Sequence, residues 1–145
     1  MFIQNGVRTD NPLVGNDILL INKTGAASVK GTVVTASSSV DNACSKVQID
    51  IPNPIGVIAE DDVPDGIAVR VITGGIGDVL FVGNTTRGHL ARTCVTADSN
   101  ATQGQAISEA IPTSPFATDK HFMEIGHVLE SRTGAGLAKC LLHFN

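Results

Sequence analysis

The sequence predicts an all-β protein, a compact β-barrel or β-sandwich with an extended N-terminal arm. Three observations carry this. Short apolar or alternating runs recur along the chain, turn-forming clusters fall every 8–12 residues or so, and no longer window carries a 3.6-residue apolar stripe. The gaps between runs are too short for repeated helical crossovers, which excludes a βαβ parallel sheet.

Taken in order, the strand candidates are 17–22, 30–36, 45–51, 55–59, 67–73, 78–82, 89–96, 105–111, 122–129 and 137–144. Val33-Val34, Val69-Arg70-Val71-Ile72 and Val79-Leu80-Phe81-Val82 supply the β-branched and large apolar residues that suit a pleated surface. Turn formers separate them. In Pro64-Asp65-Gly66 the proline presets φ, the aspartate bonds its own turn and the glycine accepts positive φ. Gly74-Gly75-Ile76-Gly77 reads as another turn, between strands 67–73 and 78–82. One helical turn is conceivable at 59–63 or 106–110. Residues 1–16 form the arm, because Asp10-Asn11-Pro12 breaks regular structure. Residues 17–145 form a single β-rich domain, the default for 145 residues.

Composition narrows the function classes. The chain is 42% hydrophobic and 17% charged, with a formal net charge of −4. A mildly acidic chain without Trp or Tyr lacks both the basic footprint and the stacking platforms of a nucleic-acid binder. The first residues carry no basic segment followed by an apolar core, and no run approaches the length of a membrane span. The expectation is a protein that stays soluble in the cytoplasm where it is made, with no membrane partner.

Motifs for chemistry are weak. Gly74-Gly75-Ile76-Gly77 is followed by an apolar strand pattern and by no Lys-Ser/Thr, so it is not a phosphate loop. The acidic run Glu60-Asp61-Asp62, with Asp65 nearby, does not match a calcium loop and reads as a solvated turn. Cys44, Cys94 and Cys140 are widely spaced and read as reduced core or strand thiols. His89, His121, His127 and His143 match no local zinc signature. On strand 122–129 strict alternation puts His127 on one face with Met123, Ile125 and Leu129. His143 reads as structural or surface. No nucleophile elbow is present. The expectation is a non-enzyme with no catalytic residues, no metal, no cofactor and no small-molecule substrate.

The run Ile55-Gly56-Val57-Ile58-Ala59-Glu60-Asp61-Asp62-Val63-Pro64-Asp65-Gly66-Ile67-Ala68-Val69-Arg70-Val71-Ile72-Thr73-Gly74-Gly75 resembles a stretch common in bacteriophage capsid decoration, or cement, proteins. There a strand leads through an acidic turn to a second strand ending in glycine. Ile125-Gly126-His127-Val128-Leu129-Glu130-Ser131 and residues 138–145 are similar to the closing hairpin of that family. The two regions cover about a third of the chain. The resemblance implies a β-rich body, often trimeric, bound to the major capsid protein on the exterior of a virion head and stabilising it, with no catalytic residues to carry over. On that reading Met1, Phe2, Ile3 and Val7 are the partner-binding residues, since an apolar tip on an irregular arm is suited to anchoring. Two alternatives stand beside it: a small β-barrel ligand-binding domain or enzyme, and a domain of a phage tail or fibre.

Overall fold

A computed structural model describes residues 16–51, 53–111 and 122–144. Among them are nine strands: β1 Asn16–Asn22, β2 Val33–Ala36, β3 Ala43–Lys46, β4 Gly56–Ile58, β5 Ala68–Phe81, β6 Leu90–Thr93, β7 Ala106–Glu109, β8 Glu124–Val128 and β9 Gly136–Leu142. The all-β class holds. Neither stretch proposed for a helical turn is helical, and Ala106–Glu109 is strand β7.

The strands close into two rings that share β5. In the first, β1 lies parallel to β3, β3 antiparallel to β2, β2 to β4, β4 to β5, and β5 returns to β1. In the second, β5 pairs with β9, β9 with β8, β8 with β6 and β6 with β7, all antiparallel, and β7 meets β5 in parallel at Phe81↔Ala106. The first half of β5 therefore belongs to one ring and the second half to the other. Closure pairs strand edges within the chain, over two residue pairs at β1–β3 and one at β5–β7, which shortens the exposed templates an open sheet would present.

The glycine run expected to be a turn lies inside this 14-residue strand. Its role is to change the face that β5 turns to each core. Val69 and Val71 enter one cluster with Val34, Cys44 and Ile58, whereas Ile72 enters the other. The register of β5 against β1 slips at Gly74, and Gly75 takes φ +82°. A one-residue irregularity inverts the alternation, so beyond it the odd-numbered Val79 and Phe81 continue the face of the even-numbered Ile72. At Gly77 a Cβ would lie 2.9 Å from Leu142 Cδ1 and 3.2 Å from Ile72 Cδ1, so this position admits no larger residue without displacement. Sequence reading takes a Gly-rich run as a break because glycine is depleted in strands. Here close approach of two side chains and a bulge require it.

The larger cluster spans both rings. Val33, Val57 and Ile72 lie side by side across β2, β4 and β5 and pack with Phe81, Ala91, Ile125, Val128, Cys140 and Leu142. Strands β2 and β4 thus bury both faces, which accounts for Val33-Val34 and Val57-Ile58 being apolar without alternation.

Polar groups fix the loops to this body. The side chain of Asn22, fully buried, donates to the carbonyls of Ala26 (3.0 Å) and Val63 (2.9 Å) and accepts from the Thr24 amide and hydroxyl. Arg92 is 6% exposed and donates to both carboxylate oxygens of Asp98 at 2.8 Å, to Glu109 at 2.7 Å and to the Thr93 carbonyl. Its guanidinium is held above its ordinary pKa by the Asp98 bonds first, against the opposing effect of burial. This network clamps the 94–105 connection onto β6 and β7. Asp78 on β5 is bridged to Lys139 on β9 (3.1 Å) and to Lys30 of the 23–32 connection (3.2 Å), which ties the second ring to a loop of the first.

Phe81 is fully buried where β5 meets β7. Phe81→Ala is expected to cost about 3–5 kcal/mol in denaturant unfolding. A loss below about 1 kcal/mol would mean that the second ring has no closed interior at this point.

Candidate functional site

The proposed anchor residues Met1, Phe2, Ile3 and Val7 lie outside the described residues, as do nearly all of the 1–16 arm and His121. Asn16, taken as the end of the arm, is the first residue of β1.

The acidic run is a turn between β4 and β5, as expected, but the carboxylates of Glu60, Asp61 and Asp65 are used. Asp61 accepts the Lys30 amide at 2.7 Å, Glu60 accepts the Arg70 amide at 3.2 Å, and Asp65 accepts the Gly25 amide at 2.9 Å and pairs with Lys23 at 3.1 Å. The Gly25 bond, then Lys23, holds the Asp65 carboxyl below its ordinary range. Ser28 completes the join, donating its hydroxyl to the Glu60 carbonyl and accepting the Val63 amide. The run thus fastens the 23–30 loop, and its carboxylates serve backbone amides.

The three cysteines are free and buried, Cys44 on β3, Cys140 on β9 and Cys94 just after β6, in line with the core-thiol reading. Burial pushes all three thiols up, Cys140 to about 12. At neutral pH they are protonated, which makes them poor nucleophiles.

One cluster of chemically capable side chains arises only in the fold. Glu124 and His127 on β8 converge with His143, just beyond β9, with one potential ligand atom from each lying within 4.8 Å of the others. His143 Nε2 is 3.1 Å from Glu124 Oε2 and 3.2 Å from His127 Nδ1, and the two imidazole centroids are 5.2 Å apart. Strict alternation would separate Glu124 from His127. The register of β8 against β6 slips between them, with Ala91 opposite Gly126 and Arg92 opposite Glu124. This bulge buries both Ile125 and Val128 and leaves Glu124 and His127 on the other face. Gly126 has φ +154°, and a Cβ there would overlap the Leu141 carbonyl. The expectation that His127 shares a face with Met123, Ile125 and Leu129 is corrected accordingly: Met123 and Ile125 are buried, His127 is half-buried and Leu129 is 45% exposed. Glu124 was not singled out from sequence. The available signal was Gly126 inside an apolar strand pattern, which marks a bulge.

Nor is the outer surface uniformly polar. Leu19 on β1 is 66% exposed, and Ile18, Ile67 and Leu141 are about half exposed.

Comparison with known proteins gives a likeness of fold. No family model matches the sequence, and no curated protein matches it. Among solved structures the chain is similar to the N base of the head fiber protein gp8.5 of bacteriophage phi29. The TM-score is 0.55 at 14% identity, over 88% of this chain and 92% of that one.

Proposed function

We propose that this protein is a structural component of a phage virion, bound on the exterior of the head to the major capsid protein and stabilising it. The observation that carries the reading is the fold itself. The likeness of fold to the phi29 head fiber base spans 88% of this chain and 92% of that one, and the likeness to decoration proteins in residues 55–75 points to the same class of protein independently. The body suits such a role. Its loops are fastened by the buried Asn22 and Arg92 networks, and a surface with fixed shape binds a partner with little ordering cost. A second reading, the base of a head fibre, is favoured by what the neighbour's description says of that protein. Both readings place the protein on the head and assign it no reaction.

Sedimentation tests the reading. Purified protein mixed with heads of the virus that encodes it is expected to pellet with them, at a saturating stoichiometry tied to the capsid lattice. Protein that remains in the supernatant at saturating heads would contradict it.

The resemblance also implies a homotrimer. Because both rings close within one chain, edge protection is a weak reason for assembly, and the case rests on the resemblance together with the exposed Leu19, Ile18 and Ile67. Light scattering is expected to give about three times the 15.0 kDa chain mass. A monomer both free and eluted from heads would refute it.

A further inference from the structure

We infer that Glu124, His127 and His143 form a binding site for a divalent transition metal of the zinc class, held by three protein ligands with the remaining position open to solvent. This does not depend on the virion reading, because it follows from side-chain chemistry alone.

Two imidazoles and one carboxylate are a donor set suited to Zn²⁺ and its neighbours, not to Mg²⁺ or Ca²⁺, which prefer all-oxygen ligands. The spacing fits. A tetrahedral Zn²⁺ with bonds of roughly 2.0–2.1 Å separates its ligand atoms by about 3.3–3.4 Å. His143 Nε2 already lies 3.1 Å from Glu124 Oε2 and 3.2 Å from His127 Nδ1. The third pair, Glu124 and His127, lies within 4.8 Å, so a side-chain movement of about 1.4 Å or less brings all three donors to tetrahedral spacing. Nitrogens facing each other across 3.2 Å share at most one proton between them. A cation there takes both lone pairs at once.

The ligands are also held in place by their backbones. Although His143 is two residues from the chain end, its amide donates to the Ile125 carbonyl at 3.0 Å, and the next residue, Phe144, packs on the larger core. His127 sits between Leu90 of β6 and Leu141 of β9 in the ladder. Glu124 and His127 share a face only because of the bulge at Ile125–Gly126. Bulges that re-aim side chains are over-represented beside functional sites, and this one aims two donors at a residue just beyond the end of the neighbouring strand. Binding there would staple the end of β9 to β8.

Zinc chloride titrated calorimetrically into the full chain, stripped with chelator and kept reduced, tests this. A one-to-one isotherm is expected for Zn²⁺ and none for Mg²⁺. His143→Ala, His127→Ala and Glu124→Gln are each expected to weaken Zn²⁺ binding by about tenfold or more. His143 is exposed, so its variant is expected to keep the wild-type circular dichroism spectrum and so isolate ligand loss from misfolding. Zinc is expected to raise the melting temperature of the wild type but not of His143→Ala. Absence of Zn²⁺ binding to the wild type would overturn the inference and leave a hydrogen-bonded trio. So would equal binding by His143→Ala and His127→Ala, which would put the metal elsewhere.

Discussion

The structure depends on β5 serving two rings at once. A strand has two edges, and each half of Ala68–Phe81 uses both: β1 and β4 flank the first half, β9 and β7 the second. For one strand to fill two interiors its inner face must change partway along. The bulge around Gly74 and Gly75 does this, and Gly77 lets Ile72 and Leu142 close over the crossing. From that one constraint follows the larger core, in which the outer faces of β2 and β4 pack on side chains of the second ring. The Lys30–Asp78–Lys139 bridge secures the same junction in polar terms. Burial alone would push the Asp78 carboxyl up, but hydrogen bonds from the two lysines hold it below its ordinary value. Its contribution to stability is therefore present above the unfolded carboxylate pKa and is lost as pH falls through the lowered one.

Most of the strands were legible in the sequence, because period-2 burial leaves a direct trace. β1, β6, β8 and β9 lie where alternation and turn spacing put them, within a few residues at the ends. What escaped was the continuity of β5. Gly74-Gly75-Ile76-Gly77 carries the composition of a turn, and composition cannot distinguish a reversal from a bulge within a strand. The distinction is made by Leu142, a side chain about 65 residues further along. Closure was equally hidden, since β1 against β3 and β5 against β7 are short parallel pairings that leave no local signal.

The candidate site shows the same division. The acidic run was correctly read as a turn, but its work as an acceptor of the Gly25 and Lys30 amides depends on a loop that the sequence places about 30–40 residues away. His127 and His143 were visible as histidines without ligand spacing, and metal spacing rules are rules about single segments. Here the candidate donors come from β8 and from the residue just beyond β9, and Glu124 joins them through a bulge whose trace in the sequence is a single glycine. Function is the least local property of all. At 14% identity the likeness to a phage head fiber base is a likeness of backbone, and one fold can host many roles.

The claim that two rings share one strand and one core is tested most directly by native-state hydrogen exchange. Amides of Val57 and Ile58 in the first ring and of Ile125 and Cys140 in the second are predicted to open with one common free energy, equal to that of global unfolding. A second ring that exchanges through a separate, lower-energy opening while the first stays protected would show that β5 does not bind them into one cooperative unit.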